Sequence, residues 1–264
     1  TWNVRDQLTT ATDPAGREAT TLYDQLNRPT DAYGPAPASC FGTDLKPTAG
    51  CAITPAHTST SYDQGMPGLN AVYYPNTTLS GLPTNYALGV GTADGSVNVN
   101  WGTSAPYSGG PTTNWTLQLT GTITFPAAGT YTLNTYADDG TQVWINDVLK
   151  ISDWIGSGPH FSPSATVTVT AGQTMRIRLA YQQLTAGASL QLLWTPPGGT
   201  QTVIPGADLS PNYGLGTGTQ TDDSAPTGVT GVTSSQVPAM KTSTSYGASP
   251  WLGSRPRRRW TRPG

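Results

Sequence analysis

Apolar residues between positions 115 and 195 recur with a period of two. Leu117, Leu119, Ile123 and Phe125 alternate with Thr and Gln, and Val167 and Val169 alternate with Thr. Met175, Ile177, Leu179 and Tyr181 follow, then Leu190, Leu192 and Trp194. Successive side chains of a strand point to opposite faces, so each run predicts a strand with one face buried. Turn signals separate the runs: Ala-Ala-Gly before Thr130, Asp138-Asp139-Gly140, Asn146-Asp147, Ala171-Gly172 and Pro196-Pro-Gly-Gly199. Many short strands without a helical period predict an all-β sandwich or barrel.

The 264 residues are 35% hydrophobic, enough for one substantial core. Charged residues make up 11%, against roughly 25% in an average domain, so solubility rests on hydroxyls and amides, as on many extracellular surfaces. Arg255, Arg257, Arg258, Arg259 and Arg262 crowd the C-terminus. This cluster follows a Gly/Thr/Ser linker and carries no fold signal, so nucleic-acid binding is not expected. No run of about 18 apolar residues predicts membrane insertion, and Thr1-Trp-Asn-Val-Arg-Asp6 lacks the apolar core of a signal peptide. An extracellular or cell-surface location therefore requires a signal outside this fragment, which is expected to be monomeric.

Cys40 and Cys51 flank a loop that a disulfide closes in an exported chain, with a gain of about 3 kcal/mol from the chain-entropy argument. Two reduced thiols are the alternative. Metal binding there has only His57 nearby to support it.

In the first forty residues Asp6-Gln7-Leu8, Thr12-Asp13 and Gly16 recur 18 positions later as Asp24-Gln25-Leu26, Thr30-Asp31 and Gly34. Asp13-Pro-Ala-Gly16-Arg17, followed by Tyr23-Asp24-Gln-Leu-Asn-Arg28, resembles the tyrosine-aspartate (YD) repeat of the Rhs and teneurin families. Two copies cannot bury a continuous core, so this arm is expected to be poorly ordered, and an ordinary polar hairpin linker is the alternative to a repeat. Thr-Ser-Thr-Ser-Tyr occurs at 58–62 and again at 242–246, the pattern of a domain inserted into a repeat scaffold. The expected organisation is a YD-repeat-like arm at 1–40, a Cys-bridged linker at 41–64, a β-sandwich at 65–213, and a Gly/Thr/Ser linker with basic tail at 214–264.

Within the insert, Gly68-Leu69-Asn-Ala-Val-Tyr73-Tyr74, Trp115-Thr-Leu-Gln-Leu-Thr-Gly121 and Gly129-Thr-Tyr131 stand in order before Asp138-Asp139-Gly140. Val143-Trp-Ile145, Asp153-Trp154, Ala171-Gly172, Tyr181 and Leu190-Gln-Leu-Leu-Trp194 follow. This ordered set resembles the fourteen-kilodalton protective-antigen (PA14) domain family. The resemblance implies an antiparallel β-sandwich of jelly-roll type, found in toxins, glycosidases and adhesins, with several members binding sugars through calcium.

Asp138 and Asp139 offer hard carboxylate oxygens of the kind calcium takes in sixes to eights. In a regular strand the two would point to opposite faces, so both reach one ion only if the backbone kinks. The resemblance implies a cis bond between them, a conformation costing about 3 kcal/mol that a bound metal offsets. The alternative is an Asp139-Gly140 hairpin turn. Neutral oxygens are expected from the loop after Tyr181, residues 182–189, and near Asp153, with Gln183 the first choice and Gln182 and Asp153 beside the site. Trp154, near His160-Phe161, is either a stacking wall for a sugar ring or a buried core residue. Trp101, Trp115, Trp144 and Trp194 are assigned to the core or to strand faces.

No enzyme is expected. Glycoside hydrolysis wants two carboxylates about 5 to 10 Å apart, and the only Glu is Glu18 in the arm. No Gly-x-Ser-x-Gly, His-Glu-x-x-His or phosphate-loop motif occurs. The expected function is a calcium-dependent, lectin-like carbohydrate-binding module of a large secreted or surface Rhs/YD-repeat protein. A purely structural spacer is the alternative.

Overall fold

The computed structural model describes residues 1–221, 242–245 and 257–260, of which 217–221 and the last two stretches are described by backbone alone. The chain divides into two compact units, one formed by residues 1–62 with the segment from 214 onward, the other by residues 63–213.

The first unit opens with β1 (Thr10–Thr12), β2 (Arg17–Tyr23), β3 (Pro29–Pro37) and β4 (His57–Tyr62). The turn entering β2 is built by Asp13, whose Oδ1 accepts the backbone N–H groups of Ala15 and Arg17 at 2.9 Å while Oδ2 takes Arg17 Nε at 2.8 Å. Asp24 repeats that arrangement with Leu26 and Arg28. Asn3 repeats its backbone part, its Oδ1 accepting the N–H groups of Arg5 and Gln7. The fourth residue of each turn, Asp6, Gly16 and Asn27, has a positive φ. The structural repeat therefore starts at residues 3, 13 and 24, not at the 18-residue spacing of the sequence identities. Asp6 and Asp24 match as letters but hold different places in their turns.

The arm is correspondingly ordered as strands, against the expectation from its small core. Side-chain-capped turns fix the hairpins locally, Cys40 and Cys51 are disulfide-bonded, and the Thr20 hydroxyl, itself buried, donates to Leu45 O at 2.7 Å.

The second unit carries β5 (Asn70–Tyr74), β6 (Asn85–Leu88), β7 (Asn98–Gly102), β8 (Trp115–Phe125), β9 (Gly129–Asp138), β10 (Thr141–Ile145) and β11 (Val148–Asp153). It continues with β12 (His160–Phe161), β13 (Ala165–Val169), β14 (Gln173–Gln183), β15 (Ala188–Thr195), β16 (Thr202–Val203) and β17 (Leu209–Ser210). One sheet runs β11-β10-β14-β8-β5-β6 with β17 on β8. The other runs β12-β9-β15-β16 with β13 on β9 and β7 on β15. Both are antiparallel throughout.

The period-two residues face inward as their alternation requires. Leu117, Leu119, Ile123, Ile177 and Leu179 of one sheet meet Tyr131, Leu133, Leu190 and Leu192 of the other in one buried cluster. Trp115 and Trp194 are buried with them, and Trp101 packs against the cluster. Of the sandwich or barrel that the alternation allows, the observed fold is the antiparallel sandwich that the family resemblance implies.

The chain then forms β18 (Gly216–Thr221), which pairs with β4 and completes the order β1-β2-β3-β4-β18. These residues were expected to be linker. An edge ladder needs only backbone groups, so a Gly/Thr alternation without apolar side chains still supplies a strand. The second Thr-Ser-Thr-Ser copy is β19 (Thr242–Ser245), paired with β20 (Arg257–Trp260). The rest of the expected linker and basic tail lies outside the described residues. Among the described residues no helix is long and apolar enough to cross a membrane.

Candidate functional site

β9 ends at Asp138 in one sheet, and β10 begins at Thr141 in the other. Asp139-Gly140 is thus the link on which the chain changes sheets, and the hairpin-turn alternative does not hold. The Asp138–Asp139 peptide bond is cis. Gly140 is required here, because a Cβ would stand 2.7 Å from Asp153 O and from both Ile155 N and Ile155 O. These are backbone atoms that cannot turn aside.

The link is bonded to the end of β14 and the loop after it. Asp139 N–H donates to Gln182 O at 3.3 Å, and Gln182 N–H donates to Gly140 O at 3.0 Å. Leu184 N–H donates to Asp139 Oδ2 at 2.7 Å. The hydroxyl of Tyr181 donates to Asp138 O and lies 3.2 Å from Gln183 Oε1. That ring is fully buried between Trp115, 5.3 Å away between centroids, and Trp101, 5.7 Å away. Burial, and then the charges of Asp139 and Asp138, drive the Tyr181 phenol far up from its ordinary value, so it stays a proton donor.

Asp138 is half-buried while Asp139 is buried. Burial and the neighbouring Asp139 charge push the Asp138 carboxyl up, and His160 partly offsets them. Gly187 lies against this carboxylate: a Cβ there would fall 2.9 Å from Asp138 Oδ2 and meet little else. The loop therefore leaves open space over Asp138 that any larger residue would fill.

The structure brings Asp138, Asp139, Gln182 and Gln183 together at this sandwich edge. Gln183 is completely buried, with its Oε1 facing the Tyr181 hydroxyl and its Nε2 donating to Ala186 O at 3.5 Å. Gln182 is also buried and joins the link through its backbone. Asp153 approaches Gly140 through its carbonyl, while its carboxylate is held 2.9 Å from His160 Nε2. His160 also bonds Gly158 O through Nδ1 at 2.8 Å. Trp154 follows β11 directly and is half-buried. The loop after Tyr181 is where neutral donors are expected, but the parts played by the Tyr181 hydroxyl, the Leu184 backbone N–H and the bare Gly187 are not legible in the sequence, since each acts across more than forty residues of chain.

Among the described residues no group of three or more His, Cys, Asp or Glu is arranged to hold a metal. The link offers two adjacent carboxylates with neutral oxygens near them in sequence, donors of the kind calcium takes and zinc does not favour. One oxygen of Asp139 is taken by Leu184 N–H and the other remains. The open space beside Gly187 leaves Asp138 accessible. On these observations the residues fit calcium.

Two packed antiparallel sheets with a carboxylate pair on the link between them define a small β-sandwich module. Residues 65–207 match the PA14 domain family, and the chain belongs to it. The anti-sigma-I factor RsgI3 of Acetivibrio thermocellus is 28% identical over 121 residues, which are 46% of this chain and 19% of that protein. A solved anti-sigma factor domain-containing protein is 26% identical, with a TM-score of 0.51 over 56% of this chain and 49% of its own. This chain thus spans half or less of either relative. The A domain of epithelial adhesin 6 from Candida glabrata, solved in complex with Galb1-3GlcNAc, is 14% identical, with a TM-score of 0.44 over 60% of this chain and 96% of that domain.

Proposed function

We propose that residues 63–213 form a non-enzymatic carbohydrate-binding module whose sugar site is organised by calcium at Asp138 and Asp139. The observation that carries this is the pair of adjacent carboxylates on the sheet-crossing link, one of them half-exposed beside the bare Cα of Gly187. Two anions so placed repel unless a cation or a proton neutralises one of them, and the upward push on Asp138 comes first from burial and then from this repulsion. Membership of the PA14 domain family supports a binding role.

Calcium held there supplies a Lewis-acidic centre for vicinal sugar hydroxyls. The chain's own residues position the carboxylates: Leu184 N–H fixes Asp139, the Tyr181 hydroxyl fixes the Asp138 carbonyl, and Gly140 lets the link pass beside residues 153–155. Gln183, Gln182 and Asp153 lie within this neighbourhood as candidate oxygen donors, and Trp154 stands at the exit of β11 as a candidate wall for a sugar ring.

The parent is then an extracellular or surface protein that presents the module on a YD-type repeat scaffold. The tandem Asp13 and Asp24 turns support that context. A spacer without ligand is favoured by a different observation, namely that Asp139 Oδ2 and Gln183 Oε1 already have partners within the loop.

A glycan array run with calcium and again with chelator separates the two. Binding that disappears with chelator supports the sugar module, and an array silent under both conditions leaves the spacer.

A further inference from the structure

Residues 63–213 contain seven aspartates and no glutamate against Lys150, Arg176 and Arg178, and all three cations fall on β11 and β14, the two strands flanking β10. They sit far from the aspartate pair. The pair stands before Thr141 at one end of β10, whereas Arg176 is anchored at the other, its backbone N–H donating to Asn146 Oδ1 at 3.0 Å. The six steps from Gly140 to Asn146 span roughly 20 Å at about 3.4 Å each.

A surface pocket of about 270 Å³ opens here, lined among others by Thr120, Asp147, Arg176, Arg178 and Asn212. Arg176 is paired with Asp147. Arg178 is different. Its guanidinium lies 3.7 Å above the centroid of the Trp144 ring, which stands directly opposite it in the register of β10 with β14. None of its side-chain N–H groups meets an acceptor among the described residues. Stacking on the indole restrains the guanidinium plane, so a fork of unused donors is held ready at the pocket wall.

We propose that this pocket is a second, calcium-independent sugar subsite that takes a hexuronate unit of an acidic glycan. The inference rests on the carbohydrate-binding reading above and names a ligand class for a different face of the same unit. The planar carboxylate of a hexuronate matches the Arg178 fork in bidentate geometry. The ring hydroxyls meet the Asp147 carboxylate as acceptor and the Thr120 hydroxyl as donor or acceptor. A neutral hexose leaves the guanidinium unmatched. A doubly charged sulfate faces repulsion from Asp147 and has no hydroxyl to offer it, and hydrogen phosphate has only one. The pocket volume suits one pyranose ring, with neighbouring units of the chain in solvent.

The test compares cellotetraose with the β-1,4-linked tetraglucuronate, two oligosaccharides that share ring and linkage and differ at C6. The full chain is titrated with each by calorimetry in the presence of EDTA. Tetraglucuronate is expected to bind at least about tenfold more tightly, the scale of one charge-assisted bidentate contact. Arg178→Gln is expected to erase the preference, and Arg178→Lys, which keeps the charge and loses the fork, to retain only part of it. The melting temperature of each variant shows that it is folded, and Asp138→Asn with Asp139→Asn is expected to leave the preference intact.

Equal binding of the two tetrasaccharides overturns the proposal. So does a preference that survives in folded Arg178→Gln, or displacement of tetraglucuronate by an equal concentration of inorganic sulfate. Calcium-dependent glycan binding without uronate preference removes only this subsite. Uronate preference in a chain that ignores calcium removes only the calcium site.

Discussion

Gly187→Ala isolates the Asp138 carboxylate from the fold that carries it. The new methyl would stand 2.9 Å from Asp138 Oδ2, where ordinary contact begins near 3.4 Å, and the next nearest atom is Asp138 Cγ at 4.0 Å. Gly187 does not need a left-handed backbone, so the only adjustment is a shift of the carboxylate by about 0.5 Å. That is larger than the ~0.2 Å within which metal–ligand distances are normally held. Perturbing a group that orients a ligand typically costs about 10- to 100-fold in metal affinity, so calcium should bind at least about tenfold more weakly, or about 1.4 kcal/mol.

Stability should barely change. The moving group is a half-exposed side-chain end, and surface substitutions of this kind stay within about 0.5 kcal/mol. That is under about 2 °C in melting temperature for a unit of this size. Gly140→Ala provides the contrast, because its methyl would strike three backbone atoms at 2.7 Å and should cost about 1–3 kcal/mol whether or not calcium is present. Calorimetry with calcium and thermal melts in EDTA read both quantities. Wild-type calcium affinity in a folded Gly187→Ala chain would refute the assignment of Asp138 as a ligand.

Asp138→Asn should melt higher than the wild type at pH 7 in EDTA. The folded carboxyl is pushed above its ordinary value of 3.8, so its contribution is complete below that value and is lost as pH rises through the folded one. Melting in EDTA from pH 3 to 7 should show the advantage of Asn shrinking toward acid, and a constant advantage would contradict it. Reducing the Cys40–Cys51 bond, which spans 11 positions, should cost the first unit about 3 kcal/mol, read by denaturant melts with and without reductant. Leu119→Ala removes a fully buried side chain from β8 at the centre of the core and should cost about 3 kcal/mol, visible as a lower urea midpoint with unchanged slope.

The strands were legible because they are half-buried and therefore alternate, while the choice of a sandwich over a barrel came from the family resemblance. Leu117, Leu119 and Leu190, Leu192 declare their faces without reference to anything distant. The Asp138-Asp139 pair stood out as two adjacent carboxylates at a strand end. Whether that end is a turn or a crossing depends on which sheet β10 joins, and this is set by its pairing with β14 near Tyr181, some forty residues away. No local pattern encodes it. Gly187 and Leu184 contribute an absence and a backbone N–H, which leave no signature in composition.

The order of the arm is hidden for the opposite reason. Its order comes from Asp13 and Asp24 capping their own turns, a local signal that an 18-residue letter match obscured. A pattern of Asp or Asn four residues before Arg or Gln, with Gly, Asn or Asp between them at the positive-φ place, would have shown the true spacing.

The calcium assignment is most directly tested by titrating calcium into the full chain and into Asp138→Asn/Asp139→Asn by calorimetry, with melts of each in calcium and in EDTA. The wild type should release or absorb heat with a stoichiometry near one and melt higher in calcium, while the double variant should show neither effect and remain folded. A wild-type chain that gives no heat and melts at the same temperature in calcium and in EDTA would contradict the assignment and leave the sheet-crossing link a purely structural device.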